Sequence, residues 1–293
     1  MVSESPWKRK YYSERFEIIE INNAGFCFGV KRATKLAFEA TAQKSGRVFT
    51  IGPLIHNPQV VKRLNEKGLA VIENLDSISR GTLLVRSHGL HPKIIDQAVT
   101  KGLEVIDATC PFVKKAQSFA RSLKEKGYQL VILGEKNHPE VQGIMGYSGK
   151  DTMVVGDYSE LSLYKIKKKV GIVAQTTQTY QNLSSLVSRL VPEVRELKVY
   201  NTICDATLIR QKESRLLAEE VELMLVVGGK NSGNTNRLYK ICKQVEPKTY
   251  LIEPADEINP CWFSGISRIG VTSGASTPDW IIDGVIKRLK SIN

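Results

Sequence analysis

The sequence predicts an α/β protein made of three similar α/β domains with mostly parallel sheets. Strand-like apolar runs alternate with helical stretches, and three segments of the chain share one local pattern. The chain has 293 residues, of which 42% are hydrophobic and 25% charged. This composition is typical of a globular protein with a substantial core. Strands that alternate with helices favour parallel sheets joined by crossover helices.

Three cysteines mark the shared pattern. Each follows a strand-like apolar run and precedes a stretch in which apolar residues recur at helical spacing, and these cysteines are Cys27, Cys110 and Cys204. After Cys110, for example, Val113, Ala116 and Ala120 fall on one helical face. The sequence therefore places each cysteine at a strand-to-helix turn.

Polar residues recur at matching places after two further strands of each segment. The second strand of each segment ends in a glycine, and a polar residue follows four positions later. The third strand of each segment ends on another polar residue. The first set is His56, His138 and Ser232, and the second set is His88, Thr176 and Ser276. The first set follows the cysteines by 29, 28 and 28 residues. This agreement predicts an internal repeat.

The repeat sets the predicted domains. We expect a mobile N-terminal arm over 1–14, and α/β domains over 28–110, 111–203 and 204–293, the last completed by a strand within 15–27. Ligands of parallel sheets bind at the carboxyl ends of strands, so we expect the three units to meet in pseudo-threefold symmetry at one central cavity. Three separate sites are the alternative, which the unequal polar residues of the units disfavour.

The three repeated cysteines have the chemistry of soft metal ligands. A helix N-terminus and nearby Lys or Arg residues favour the thiolate. Such thiolates can hold zinc with a His as the fourth ligand, or three corners of a 4Fe-4S cluster with one open iron. The wide spacing between the cysteines favours the larger cofactor. A cysteine is commonly a small core residue, and we assign Cys242 and Cys261 to packing.

The polar residues of the repeat predict an anion site. His56 and His138 stand where helices should begin, with Pro in the first turn, and helix N-termini present N–H groups to anions. Glu140 lies two residues after His138 and is the candidate proton donor, with Thr176 as a hydroxyl relay or orienting group. The alternative role of Glu140 is that of an ordinary first-turn acid which stabilises its helix.

Charge and composition limit the partners. A formal charge of +12 with a pI near 9.4 suggests an acidic partner, either nucleic acid or a phosphorylated small molecule. A zinc-stabilised nucleic-acid-binding protein is the alternative function, but the sequence has neither an RNP motif nor zinc-finger spacing, so we expect no nucleic acid. The cluster Lys165, Lys167, Lys168 and Lys169 is a predicted solvated loop, or a docking patch for an acidic electron carrier.

The location of the protein is predicted from what the sequence lacks. The N-terminus has no apolar stretch typical of a signal peptide, and no run of 18 apolar residues occurs. The five cysteines include no C-x-x-C pair. We therefore expect a cytoplasmic protein with reduced thiols and no membrane span.

Six motifs carry a family resemblance over about residues 16 to 290. They are INNAGFCFGVKRA, DATCPFVKKA, HPEVQGIMGY, AQTTQT, VVGGKNSGNTNRL and VTSGASTPDW. Together they resemble the LytB/IspH family of 4-hydroxy-3-methylbut-2-enyl diphosphate reductases. The resemblance implies a trefoil of three α/β domains around an iron-sulfur cluster. It also implies the last step of the methylerythritol phosphate (non-mevalonate) isoprenoid pathway, in which the substrate loses its hydroxyl and yields isopentenyl and dimethylallyl diphosphates.

The resemblance also implies roles for individual residues. It implies that one 4Fe-4S cluster with an open iron is held by Cys27, Cys110 and Cys204. The implied diphosphate ligands are His56, His88, His138, Ser232, Asn234 and Ser276, with only a backbone N–H at Gly233, where some members have a second serine. Glu140 becomes the proton donor, Thr176 the hydroxyl that contacts the alcohol of the substrate, and His138 a further catalytic residue. The implied electron donor is ferredoxin or flavodoxin.

Overall fold

The structure is a computed structural model that describes residues 7–43 and 46–292. Within these ranges the strands form three sheets, and helices alternate with the strands. Every strand pair is parallel except the one at the N-terminus. This confirms the predicted α/β class with three mostly parallel sheets. The central strands are fully buried apolar runs, which need helices on both sheet faces.

The strands are short and follow one another regularly along the chain. In chain order they are β1 (Lys8–Tyr12), β2 (Glu17–Ile21), β3 (Val48–Ile51), β4 (Leu69–Ile72), β5 (Thr82–Val85), β6 (Glu104–Asp107), β7 (Gln129–Leu133), β8 (Met153–Val155), β9 (Lys169–Ala174), β10 (Glu196–Tyr200), β11 (Leu223–Val227), β12 (Thr249–Ile252) and β13 (Arg268–Ser273).

The α-helices connect these strands, and several begin at a proline that follows a capping residue. They are α1 (Phe28–Gln43), α2 (Pro58–Glu66), α3 (Pro92–Thr100), α4 (Pro111–Glu125), α5 (Pro139–Met145), α6 (Tyr180–Leu190), α7 (Asp205–Glu220), α8 (Gly233–Val245) and α9 (Asp279–Lys290). A proline fits the first helical position because its fixed φ suits the helix and its missing N–H would have no intrahelical partner.

All three sheets share one strand order. The sheets run β4-β3-β5-β6, β8-β7-β9-β10 and β12-β11-β13-β2, and β1 extends the last one beyond β2. Strands β3, β7 and β11 each lie between the next two strands of the chain. The order of strands therefore changes direction at β3 and β5, at β7 and β9, and at β11 and β13. Ligands of open α/β sheets bind at such a reversal. The pairing of β2 with β13 is the one predicted for a strand within residues 15–27.

The N-terminal residues differ from the predicted mobile arm over 1–14. Residues 1–6 lie outside the described ranges, but Lys8–Tyr12 form β1, which pairs antiparallel with β2. Ionic and polar contacts hold this strand: Lys10 pairs with Glu17 at 2.7 Å, and the Tyr11 hydroxyl donates to Glu20 at 2.8 Å. The segment has no apolar run, because its polar side chains bind carboxylates and Tyr11 is its contact with the core. That is why its sequence did not predict a strand.

The described residues form two compact units, and the three domains remain a prediction. One unit comprises the described residues up to Val30, His56–Val60, and the described residues from Asp205 onward. The other comprises the described parts of Lys31–Ile55 and Val61–Cys204, and it holds two of the three sheets. Among the residues that the structure describes, no helix has the length and apolar character that crossing a bilayer requires.

Candidate functional site

The three repeated cysteines occupy equivalent turns. Each follows the fourth strand of its sheet, β2, β6 or β10, and stands one residue before a helix. Those helices begin at Phe28, Pro111 and Asp205. Cys110 is the residue before the first turn of α4, and its sulfur makes no capping hydrogen bond. The prediction of strand-to-helix turns is confirmed for all three cysteines.

A second repeated contact fixes the cysteine backbones. Each cysteine N–H donates to a carbonyl in the loop that follows the third strand of the same sheet. The acceptors are the carbonyl oxygens of Ala275, Ser87 and Thr176, at 3.1, 2.9 and 2.9 Å from the nitrogens of Cys27, Cys110 and Cys204. These loops carry Ser276, His88 and Thr176. In each sheet, therefore, the polar residue at the end of the third strand lies beside the cysteine turn.

The cysteine side chains fall into three classes of exposure. Cys27, Cys110 and Cys204 are partly exposed, and none of the five cysteines is in a disulfide. Cys242 packs in the core with Leu238, as predicted, and burial raises the pKa of its thiol to about 12. The prediction that Cys261 is a packing residue was wrong, because its side chain is exposed. Its neighbour Trp262 instead packs, stacked on Tyr250 with ring centroids 3.9 Å apart.

The turn after β7 brings His138 and Glu140 together. His138 caps α5, and its Nδ1 accepts a hydrogen bond from the Glu140 N–H at 3.1 Å. The rings of His88 and His138 meet edge to face, with centroids 5.4 Å apart. The loops after β5 and β7 thus place two predicted anion ligands next to each other.

Glu140 is a fully buried carboxyl group, with 2% of its surface exposed. Its Oε1 accepts the Thr176 N–H at 2.7 Å, and its Oε2 accepts the Thr176 hydroxyl at 2.9 Å. Burial raises the pKa of Glu140 to about 7, although both hydrogen bonds from Thr176 lower it. A carboxyl group with this pKa can hold or release a proton at neutral pH. A first-turn acid that only stabilised its helix would not need this burial.

Close packing explains the glycine that precedes this turn. A Cβ atom at Gly134 would lie 2.7 Å from Cγ2 of Val141 and 2.9 Å from Oε1 of Gln175. The same Gln175 oxygen accepts the Glu135 N–H at 3.0 Å. Only glycine therefore lets the loop after β7 pass so close to α5 and to the Gln175 side chain. Gln175 is a residue of this turn that the sequence did not indicate.

The equivalent turn after β11 carries Ser232, Gly233 and Asn234. Ser232 caps α8, and its hydroxyl accepts the Thr235 N–H at 3.4 Å. Gly233 is the first residue of the helix, as the repeat predicts. Asn234 is buried, and its Nδ2 has no hydrogen-bond partner among the residues that the structure describes. A buried amide donor without a partner is unfavourable, so Asn234 suits an acceptor supplied by a ligand.

His56 belongs to the same compact unit as this turn. Its carbonyl accepts the Ser276 hydroxyl at 3.1 Å, and a Cβ at Gly229 would lie 2.7 Å from the same oxygen. The cap of α2 is Asn57, whose Oδ1 accepts the Val60 N–H at 3.1 Å. His56 therefore stands one residue before the position predicted for it. The motif His-Asn-Pro contained this information, since Asn before Pro is a strong capping pattern.

The predicted site residues divide between the two compact units. The first unit contains Cys27, His56, Ser232, Gly233, Asn234 and Ser276. The second unit contains Cys110, Cys204, His88, His138, Glu140 and Thr176. The lysine cluster lies apart at the surface: Lys167 pairs with Asp151 at 2.6 Å, and Lys169 with Glu196 at 3.5 Å. Lys165, Lys167 and Lys168 lie in the loop before β9, as predicted, whereas Lys169 is the first residue of β9 and lies outside that loop.

Comparisons with known proteins identify the family of this chain. The sequence profile of the family described as LytB protein matches residues 18–290. A protein of Geobacter metallireducens, named 4-hydroxy-3-methylbut-2-enyl diphosphate reductase, is 52% identical over 277 residues, which cover 94% of this chain and 98% of that protein. A protein of Pelobacter propionicus with the same name is 51% identical over 276 residues, with the same two coverages.

Two solved structures are similar as well. One, described as (E)-4-hydroxy-3-methyl-but-2-enyl diphosphate reductase, the terminal enzyme of the non-mevalonate pathway, is 46% identical, has a TM-score of 0.70, and covers 94% of this chain and 99% of its own. The other is the E-1-hydroxy-2-methyl-but-2-enyl-4-diphosphate reductase from Plasmodium falciparum. It is 26% identical with a TM-score of 0.90, and covers 94% of this chain and 88% of its own.

Proposed function

We propose that this chain, which belongs to the LytB protein family, reductively dehydroxylates 4-hydroxy-3-methylbut-2-enyl diphosphate in the last step of the non-mevalonate isoprenoid pathway. The substrate takes up two electrons and two protons, its C–O bond breaks, and the products are water and either isopentenyl or dimethylallyl diphosphate. The observation that carries this proposal is Glu140, a buried carboxyl group with a pKa of about 7 beside the Thr176 hydroxyl.

The LytB family implies an iron-sulfur cofactor, and the donor set of this chain fits one. We propose a single 4Fe-4S cluster held by Cys27, Cys110 and Cys204, with one iron left open. Three reduced, partly exposed cysteines at helix N-termini are suitable thiolate ligands. When bound, such a cluster supplies electrons and a Lewis-acidic iron at which the leaving oxygen can be polarised. The residues around it must then bind the diphosphate, orient the alcohol and provide protons.

The proposed diphosphate ligands are compact donors at strand ends and helix starts. They are His56, His88, His138, Ser232, Gly233, Asn234 and Ser276. Helix N-termini and neutral hydrogen-bond donors bind anions without a metal. The buried Nδ2 of Asn234, which has no partner among the described residues, supports this assignment because a phosphate oxygen would satisfy it. These donors suit the diphosphate group of the proposed substrate.

Glu140 is the proposed proton donor. Below a pH of about 7 its carboxyl group is largely protonated, and the anionic substrate would raise the pKa further because like charges favour the neutral form. Thr176 contacts the carboxyl group through both its N–H and its hydroxyl. Thr176 therefore fixes the orientation of Glu140, and its hydroxyl can turn toward the substrate alcohol. His138 binds the Glu140 N–H, and so fixes the start of the same helix.

The electron donor and the location complete the proposal. We propose ferredoxin or flavodoxin as the donor, because the reaction needs electrons at low potential and the surplus positive charge of the chain attracts acidic proteins. A cytoplasmic location agrees with a substrate and a donor of this kind. The surface cluster at Lys165–Lys169 remains a candidate contact for the donor.

Anaerobic isolation tests the proposed cofactor and reaction together. The protein should be brown, contain about four iron atoms per chain, and show a broad visible band that bleaches on reduction. It should convert the diphosphate substrate with a chemical reductant. A colourless chain with zinc in place of iron would support the zinc-stabilised alternative instead. A colourless, metal-free chain with full turnover would exclude the proposed cofactor.

A further inference from the structure

We propose that Arg32 and Arg210 are positioning residues that hold the cysteine turns in the geometry of the cluster and supply fixed positive charge beside it. The inference rests on the proposed function, in that it takes Cys27 and Cys110 as cluster ligands. From the sequence alone, the basic residues after each cysteine are expected only to favour the thiolate electrostatically. Their contacts assign two of these residues a more specific role.

Arg210 binds the turn that leads into Cys27. Its guanidinium is almost fully buried, with 3% of the residue exposed. Nε donates to the Asn23 carbonyl and Nη2 donates to the Gly25 carbonyl, both at 2.8 Å. The planar guanidinium thus joins two carbonyls that lie two residues apart in one turn. Such fork-shaped contacts are rigid, and a lysine cannot reproduce them.

The turn before Cys27 needs this support because of its shape. Gly25 has φ of +86°, and a Cβ there would clash with Oδ1 of Asp279. The Gly25 N–H donates to the Ser273 hydroxyl at 2.7 Å, while Asn23 donates to Glu213 at 2.7 Å. Both carbonyls bound by Arg210 therefore belong to a turn whose side chains and N–H groups are already engaged. The two hydrogen bonds from Arg210 fix the remaining backbone that leads into Cys27.

Arg32 makes the same kind of contact in the turn before Cys110. Its Nη1 donates to the Thr109 carbonyl and its Nη2 donates to the Asp107 carbonyl, both at 3.2 Å. Lys114 adds an ion pair to Oδ2 of Asp107 at 2.6 Å. Burial raises the pKa of Asp107, but hydrogen bonds from Lys114 and Thr109 outweigh it, so the net pKa is below the ordinary value. The turn contains an ionised, well-held carboxylate.

Arg32 and Arg210 make the same type of guanidinium contact to the backbone. Arg32 lies five residues after Cys27 and Arg210 six residues after Cys204, each on the helix that begins beside its cysteine. Each guanidinium binds carbonyls at positions i and i+2 of a turn that ends in another cysteine. An arginine stays charged at any pH in a protein. A positive charge near a cluster favours the reduced form and so raises the reduction potential, more strongly for the buried Arg210 than for the partly exposed Arg32.

The turn before Cys204 provides a neutral comparison. There the Thr202 hydroxyl accepts the Ala174 N–H at 2.8 Å, and Oδ1 of Asn201 accepts the Ile203 N–H at 3.2 Å. These contacts also fix a turn, but they carry no charge. A Thr202→Val variant therefore disturbs one cysteine turn without changing the charge of the protein.

The test measures two properties besides activity. Anaerobically prepared wild type, Arg210→Met, Arg210→Lys, Arg32→Met and Thr202→Val are compared for reduction potential, by EPR-monitored titration, and for the rate of iron loss in air. Arg215→Met is the matched control, since Arg215 lies exposed on α7 and pairs only with Glu219 among its described contacts.

The expected results separate charge from geometry. Arg210→Met and Arg32→Met shift the potential to more negative values and lose iron several-fold faster than wild type. Arg210→Lys keeps the charge, so its potential stays closer to wild type while iron loss is still faster. Thr202→Val loses iron faster at an unchanged potential, and Arg215→Met matches wild type in both. If Arg210→Met does not fold, Arg32→Met, whose side chain is only half-buried, decides the question.

Two results would overturn the inference or its premise. Wild-type potential and wild-type iron retention in both methionine variants would remove the proposed role of the arginines, while the proposed function would stand. A wild-type protein that holds no cluster would instead reject the proposed function itself. The iron content of wild type distinguishes these two failures.

Discussion

The turns after β7 and β11 occupy the same position in their sheets but carry different chemistry. Each turn follows a strand at the same place in its sheet and begins a helix with a capping side chain. The cap is His138 in the β7 turn and Ser232 in the β11 turn. Two residues after the cap, both turns bury a polar side chain. In the β7 turn this is Glu140, with a pKa of about 7. In the β11 turn it is Asn234, whose amide does not titrate.

This comparison separates the scaffold from the chemistry. The strand end, the close-packed glycine and the helix N-terminus are common to both turns and suit an anion. The side chain two residues after the cap decides what else the turn can do. A carboxyl group that burial shifts toward neutrality can move a proton, whereas a buried amide can only donate hydrogen bonds. Equivalent turns of the repeat thereby carry different chemistry.

The largest expected effect comes from Glu140→Gln. The variant keeps the size of the side chain but cannot transfer a proton, so kcat should fall by about 10²- to 10⁴-fold, with the iron content unchanged. Glu20→Gln is the matched control, because Glu20 is also buried and burial also raises its pKa, but it lies within β2 and binds Tyr11. Steady-state rates and iron analysis on the same samples check the prediction. Equal rates in the two variants would remove Glu140 from the mechanism.

Glu140 should also make stability depend on pH. Its pKa is about 7 when folded, compared with an ordinary value of 4.5. Between these values the folded chain binds more protons than the unfolded chain, so stability falls as pH rises, by about 3 kcal/mol in total. Glu140→Gln should therefore unfold at a higher temperature than wild type at pH 8, and the difference should vanish near pH 4. Thermal unfolding of the apo-proteins at both pH values measures this, and a constant difference would contradict it.

In the β11 turn, Asn234→Ala should affect binding rather than catalysis. Loss of a hydrogen bond to a charged phosphate costs about 1.5–3 kcal/mol, which corresponds to a KM roughly 10- to 100-fold higher. The kcat should change far less than in Glu140→Gln. Asn65→Ala, at an exposed position of α2, is the control and should match wild type. A fall in kcat at constant KM would mean that the two turns do not differ as described.

The smallest effect is expected from Thr176→Val. The hydroxyl hydrogen bond lowers the pKa of Glu140, so its removal should move the alkaline limb of the pH–rate profile to higher pH. The rate at pH 7 should change by less than about tenfold, because the Thr176 N–H still holds the carboxyl group. Thr176→Ser keeps the hydroxyl and should keep the wild-type profile. A shift of the limb to lower pH in Thr176→Val would contradict the assigned hydrogen bond.

The sequence predicted the features that repeat. Three matched spacings indicated the strand ends, and the helical pattern after each cysteine indicated the turn that holds it. The three sheets indeed share one strand order. The chemical type of the side chain at each turn was also predictable, because the sequence gives the residue type directly, whatever surrounds it in the fold.

Features that depend on tertiary contacts were not predictable in this way. The strand β1 has no apolar run, since it is held by carboxylates that lie on β2 and α7. The carbonyl contacts of Arg32 and Arg210 join residues more than seventy positions apart, so no local pattern contains them. Cys261 lies beside a tryptophan that packs, yet it points to solvent itself. The burial that shifts the pKa of Glu140 is likewise a property of the folded chain.

The most direct test of the account is the iron content of single Cys→Ser variants after anaerobic isolation. The account predicts about four iron atoms per chain in wild type, Cys242→Ser and Cys261→Ser. It predicts a large loss of iron and of the visible band in Cys27→Ser, Cys110→Ser and Cys204→Ser. A full cluster in any of the last three variants, or its loss in Cys261→Ser, would contradict the claim that one cysteine from each repeated turn holds a shared cluster.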